Sequence, residues 1–282
     1  MMRRTIRWSG SLLGAGLVWL ALPASAGEKL LLSWTNNLLT ISGDILPAGK
    51  LDVWYLEAFC RPGAARQKWD KTVIPHETKL LSATPHQLSF RTMVEPMVEV
   101  SHEVRAGEDE VELRFEFKNH GPETAPIEWF QPACIRVDRF TGCSQSNYTA
   151  RSFIFTERGL TTLDQTRRTE DALYRGGQVY VPAGINLDDA NPRPICRDQP
   201  TNGLIGCFSA DGKMLLATAS DRTHELFEGV YVCLHSDPHV GGLPAGGTKI
   251  IRAKIYFLQN DLEAMVKRYQ KDFAPTERSG RQ

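Results

Sequence analysis

The sequence predicts an all-β, mainly antiparallel fold: two large sheets packed as a sandwich, with one amphipathic helix near the C-terminus. Three observations carry this. Between residues 97 and 138, apolar and polar side chains alternate with a period of two. About fourteen short runs of strand character recur along the chain, separated by scattered members of its 23 glycines and 16 prolines. A single 3.6-period apolar stripe occurs, and it lies at the end.

The N-terminus reads as a secretory signal. Arg3, Arg4 and Arg7 form a basic region, residues 11–22 are apolar, and Ala24-Ser25-Ala26 is a small-residue cleavage site. Cleavage after Ala26 is expected, leaving one β-sandwich domain over residues 27–273 and a disordered tail over 274–282. The rival reading is an uncleaved N-terminal anchor, although the apolar run is short for a span. No later stretch is long and apolar enough, so no membrane span is expected after cleavage. Removing three arginines shifts 33 basic and 33 acidic groups to 30 and 33, a net charge of −3. No basic stripe remains, which argues against nucleic acid as a partner. An exported protein, periplasmic or extracellular, is the expectation, and nothing in the pattern fixes an oligomeric state.

Taken in order, residues 30–34 and 38–42 flank a Thr35-Asn36-Asn37 turn. Residues 51–59, LDVWYLEAF, form a strand bulky on both sides, with Glu57 counted on the face of Val53 and Tyr55. Strands at 77–82 and 87–93 precede the central hairpin. There Val98, Val100, His102 and Val104 oppose Val111, Leu113, Phe115 and Phe117 across a polar link. Runs at 127–131 and 135–140 are expected to return across that sheet. The pattern thins between 141 and 202, apart from short strands at 153–156 and 178–181; long irregular stretches of this kind are binding loops or mobile. Residues 204–209 and 213–219 flank Ala210-Asp211-Gly212, a hairpin signal. Residues 229–235 read as one apolar strand. In the strand at 248–258, Ile251, Ala253, Ile255 and Phe257 form the core face. Leu262, Met265, Val266, Tyr269 and Phe273 then make the helical stripe, with Asn260 as cap and Glu263 closing a capping box.

The six cysteines, at 60, 134, 143, 196, 207 and 233, admit 15 pairings. Cys134 with Cys143 and Cys196 with Cys207 are the local candidates; equally, Cys134, Cys207 and Cys233 read as small buried hydrophobes. No nucleotide loop, Gly-x-Ser-x-Gly elbow or His-Glu-x-x-His helix is present, and no cofactor is expected.

The polar groups in unusual positions define the candidate chemistry. His102 on an apolar face is either a hydrogen-bonded core histidine or a catalytic one. Arg136 and Asp138, expected on one strand face and followed by Arg139, are either a surface ion pair or charged forks beside the aromatic side chains of Trp129, Phe130 and Phe140. With the Gln131 amide, such a group suits a sugar. Trp54, Tyr55, Glu57, Arg61 and Trp69 form a second cluster, in which Arg61 would pair with Glu57. His235, Asp237 and His239 stand at alternate positions and could bind a metal, or simply be polar residues of a turn. His76 and His224 are expected on loops.

Four runs, WYLEAFCRPG (54–63), QPACIRVDRFTG (131–142), GQVYVPAGINLDD (177–189) and GLIGCFSADGKMLLATASDRTHELF (203–227), resemble a family of uncharacterised secreted bacterial proteins. In order and strand pattern the chain also resembles galactose-mutarotase-like β-sandwich proteins, with residues 229–257 similar to their terminal strands. That resemblance implies a sandwich of supersandwich type, with sugars bound on a concave face. Mutarotases use a histidine acid and a glutamate base, and no motif here carries that pair over by position.

The leading expectation is therefore an exported carbohydrate-recognising protein. Arg61, Trp129, Gln131, Arg136 and Arg139 would hold the sugar, and His76, His102 and Asp138 would serve any acid/base chemistry of epimerase, lyase or hydrolase type. The alternatives are a non-catalytic envelope or interaction module, and a metal-assisted hydrolase using His235, Asp237 and His239. An enzyme requires a histidine and a carboxylate converging in one cleft; a module does not.

Overall fold

A computed structural model describes residues 28–273. The expected signal peptide and the tail from Ala274 lie outside the described residues. The chain begins with β1 (Leu31–Thr35), β2 (Leu38–Ser42) and β3 (Lys50–Cys60). A one-turn helix α1 (Trp69–Thr72) and the short β4 (Val73–Ile74) follow, then β5 (His76–Thr84), β6 (Gln87–Val94), β7 (Val98–Ala106) and β8 (Glu110–Asn119). Next come β9 (Trp129–Arg136), a second one-turn helix α2 (Asp138–Thr141), β10 (Ser152–Thr156), β11 (Gly159–Thr162) and β12 (Gly177–Tyr180). The rest is β13 (Ile205–Phe208), β14 (Met214–Ser220), β15 (Thr223–Gly229), β16 (Cys233–Pro238), β17 (Thr248–Gln259) and helix α3 (Leu262–Asp272).

Two antiparallel sheets result. The first has the order β1-β2-β3-β9-β16-β15-β12, with β4 paired to β3; the second runs β11-β10-β13-β14-β17-β8-β7-β6-β5. Their inner faces make one core. The apolar sides of β7, β8 and β17 meet Leu39, Ile41, Val53, Tyr55, Phe59, Phe130 and Ile135 of the first sheet. Phe130 sits edge-on to Phe115 and Phe117 at 5.0 and 5.2 Å between ring centres. Burying each such ring stabilises by about 2 kcal/mol, and these residues set the sheet spacing.

The central hairpin forms as expected, and its register sets Val98 opposite Asn119 and Ala106 opposite Val111. The first turn is a two-residue one in which Asn36 and Asn37 both take positive φ, as its tight reversal requires. Helix α3 covers the outer face of the second sheet, packing Leu262, Met265, Val266, Tyr269 and Phe273 on Leu215, Ala217, Ala219 and Tyr256. Its cap lies one residue later than expected: Asp261 accepts from the Ala264 N–H at 2.9 Å.

Other expectations are corrected. The runs at 127–131 and 135–140 do not return across the hairpin sheet. They form the single strand β9, which crosses to the first sheet between β3 and β16. That strand stops at Arg136 and Asp138 opens α2, so the two share no strand face. The apolar run at 229–235 is not one strand, because the chain reverses at Val230–Val232, with Val232 at positive φ. His224 lies inside β15 and His76 opens β5; neither is on a loop. The thin region also holds β11. No helix among the described residues is long and apolar enough to cross a membrane.

Candidate functional site

The outer face of the first sheet carries the site, and a register break in β3 builds it. Tyr55 pairs with Ala133 of β9 but Ala58 pairs with Gln131, so Leu56 and Glu57 together oppose Pro132. Such a bulge changes which face the following side chains take. Val53, Tyr55 and Leu56 enter the core, whereas Trp54 and Glu57 face outward. Glu57 therefore leaves the face of Tyr55 assigned to it by alternation. Nor does Arg61 pair with it: that guanidinium donates to the Val73 carbonyl at 2.6 Å.

Above this face lies a cavity of 630 Å³. Its floor is Glu57 of β3, Gln131 and Cys134 of β9, Phe227 of β15, and Cys233 and His235 of β16; Trp54, Trp69, His76 and Tyr231 stand around it. The irregular segment after β12 closes one side with Asn191 and Arg193. Its attachments are specific. Asp188 binds Arg66 at 2.7 Å, Asp189 accepts from the Gly63 N–H at 2.6 Å, and the Asn191 N–H donates to Glu225 at 2.9 Å.

At the floor, His235 Nε2 lies 4.0 Å from Glu57 Oε2 and 3.6 Å from Cys233 Sγ. Its other nitrogen, Nδ1, is 3.5 Å from Asp237 Oδ1, an ion-pair contact without hydrogen-bond alignment. The Gln131 amide donates to Asp237 Oδ2 at 3.0 Å. Residues 233, 235 and 237 share a strand face by simple alternation. Burial raises the Glu57 pKa and the nearby His235 partly offsets it. Burial opposes charge on His235, but Asp237, with Cys233, outweighs it and holds the imidazolium. The neighbouring Cys134 thiol lowers the pKa of Cys233 to about 5 against its burial, while that of Cys134 rises. The floor thus combines a carboxyl group whose pKa burial raises, an imidazole whose pKa Asp237 and Cys233 raise, and a thiol whose pKa its neighbours lower, in a pocket partly screened from water. Cys134, Cys233 and His235 bring their donor atoms within 4.8 Å of one another, a set able to hold a metal.

Of the residues singled out from sequence, Gln131, His76 and His235 line this cavity, as do Trp54, Tyr55, Glu57 and Trp69 of the second cluster, but not Arg61. Trp129 shares the outward face, yet it is wholly buried beneath Trp69 and His224, donating Nε1–H to the Asp189 carbonyl at 2.8 Å. Arg136 lies over the Tyr231 ring at 5.9 Å. Asp138 and Arg139 sit beyond the strand end on α2. His102 lies in the core between the sheets, bonded to Tyr55 Oη at 2.6 Å and Thr92 Oγ1 at 2.9 Å. His239 turns to Glu128 at 2.9 Å, so it does not join His235 and Asp237 around one point. Alternation places Glu57 on the wrong face, and neither candidate disulfide forms: all six thiols are free, Cys134, Cys207 and Cys233 are buried as their apolar runs suggest, and Cys134 lies near Cys233. The available signal was the i, i+2, i+4 spacing of Cys233, His235 and Asp237.

No family model matches the chain, and no curated protein matches it. Among solved structures, it is similar to a putative aldose 1-epimerase from Escherichia coli K12, at 12% identity over 82% of this chain and 99% of that one, with a TM-score of 0.45. A galactose mutarotase-like protein from Lactobacillus casei is 8% identical over 81% and 99%, with a TM-score of 0.42. A galactose mutarotase related enzyme from Lactobacillus acidophilus is 10% identical over 81% and 97%, with a TM-score of 0.44.

Proposed function

We propose that this chain is an exported sugar-active enzyme: its pocket holds a saccharide against the first sheet, Glu57 exchanges a proton at a sugar carbon or its oxygen, and a positive centre at His235 steadies the charge that develops. The observation that supports this most is the approach of Glu57 Oε2 to His235 Nε2, 4.0 Å, on the floor of a cavity of 630 Å³. A histidine and a carboxylate converge in one cleft, as acid/base chemistry needs and a passive module does not. The walls fit the substrate class. Trp54 and Tyr231 are 52% and 71% exposed and offer flat faces for the C–H side of a sugar ring. Gln131, Asn191 and Arg193 offer amide and guanidinium groups to its hydroxyls.

The test is a panel of neutral, acidic and aminated glycans screened against the purified chain, followed by NMR of the bound sugars for exchange at a ring carbon. Binding is expected, with turnover lost in Glu57→Gln while the glycan still binds and the melting temperature holds. Silence across the panel from a folded protein overturns the proposal in favour of a non-catalytic module.

A further inference from the structure

We propose that Cys134, Cys233 and His235 bind a thiophilic metal ion, zinc in the first instance, at the floor of the pocket. This deepens the reading above, on which it rests for the metal's purpose, by placing a Lewis-acidic ion with an open position beside Glu57 in place of the His235 imidazolium. The ligand geometry stands by itself.

The three donors come from the two middle strands of the first sheet. Cys233 pairs with Arg136 and Leu234 with Ile135, and this register sets Cys134 across from His235, with Cys233 one step along the same face. The three donor atoms all lie within 4.8 Å of one another, and the His235 Nε2 to Cys233 Sγ distance is 3.6 Å. A tetrahedral zinc with Zn–S near ~2.3 Å and Zn–N near ~2.05 Å separates its sulfur and nitrogen ligands by roughly 3.6 Å. The strands therefore hold the Cys233–His235 pair at coordination spacing, with the Cys134 sulfur within 4.8 Å of both.

A second observation concerns the far side of the imidazole. Its Nδ1 faces Asp237, 3.5 Å away, and Asp237 is itself held by Gln131. A carboxylate behind a ligating histidine fixes ring orientation and raises its basicity, the usual outer support of a zinc ligand. Two sulfurs and one imidazole select zinc or copper(I) over magnesium or calcium, which prefer oxygen. Three protein ligands leave a fourth position, and these three line the cavity beside Glu57. Structural zinc sites close all four positions, whereas sites that act on substrate keep one open. Two thiolates neutralise a dication, so the ion adds little net charge to a buried place.

The test uses the full chain, purified under reducing conditions, stripped with chelator and dialysed against zinc. One equivalent per chain is expected. Cobalt(II) in its place should show thiolate-to-metal charge-transfer absorption in the near ultraviolet. Cys134→Ser and Cys233→Ser should each abolish that absorption, and Asp237→Asn should weaken binding about 10- to 100-fold. Cys143→Ser, outside the cluster, should change nothing. A zinc-dependent rise in the melting temperature of the unmutated chain serves as a readout independent of whether the variants fold. Copper(I) bound with the same pattern upholds the site with a different ion. Substoichiometric metal, binding that survives both serine substitutions, or a Cys134–Cys233 disulfide in the native protein overturns the inference. Zinc bound by a chain silent to glycans defeats the sugar reading alone; failure to bind zinc by a chain that turns sugars over defeats the metal alone.

Discussion

Tyr55 Oη lies 2.6 Å from His102 Nδ1, so a polar contact joins the two sheets through the middle of their shared core. Thr92 Oγ1 takes the other ring nitrogen at 2.9 Å. A neutral imidazole donates from one nitrogen and accepts at the other, and two hydroxyl partners satisfy either arrangement. Phe90 stacks on the ring at 5.0 Å between centres. His102 is buried and fully bonded, and its surroundings leave no room for a charged form.

Acid should therefore weaken the fold through His102. Burial lowers its pKa from 6.5 to about 3. Between those values the unfolded chain binds a proton that the native core refuses, so stability falls as the pH drops through that window. The full effect is on the order of 5 kcal/mol. His102→Gln keeps an amide for both hydroxyls and does not titrate. Urea unfolding followed from pH 7 to pH 3.5 should show a shallower loss in the variant. Equal slopes would remove His102 as the cause.

Trp129 should behave as an anchor for the covering loop rather than as a sugar platform. Its indole is wholly buried, and its N–H holds the Asp189 carbonyl. Trp129→Phe should cost about 1–3 kcal/mol from the lost hydrogen bond and the volume left behind. Proteolysis should then begin within residues 186–193. An unchanged urea midpoint together with lost glycan binding would restore the platform reading.

Gly177 should tolerate no side chain. It sits at φ +118°, and an added Cβ would lie 2.0 Å from the Glu228 carbonyl oxygen and 2.8 Å from the Phe227 ring. Gly177→Ala should cost at least about 2 kcal/mol by loosening β12 from β15. Gly184, at φ +88° with open space around it, isolates the backbone strain, so Gly184→Ala should cost about 1 kcal/mol. Melting curves that place both variants together would show that the contact with Glu228 is not the reason.

What the sequence made legible follows from which elements have one dry side. The central hairpin, β17 and α3 each bury one face, and their periods of 2 and 3.6 register that directly. Strands β15 and β16 are buried on both faces and still carry His224, Glu225, Glu228, His235 and Asp237. Their polar content reads as turn or loop until the covering segment from the β12–β13 connection is in place. Glu57 was visible as an acid in an aromatic run, but its direction depends on one extra residue that no local pattern marks. The Cys134–Cys233 approach needs β9 to cross from one sheet to the other, a fact of topology that spacing along the chain does not contain.

The surplus residue at Leu56 and Glu57 has an evolutionary consequence. On its inner side, β3 answers to the packing of aromatic rings, where substitution is punished; on its outer side, Trp54 and Glu57 answer to whatever enters the cavity. The irregularity uncouples the two demands within a few residues. Descendants of this chain can exchange one acid for another specificity there while their interior stays untouched.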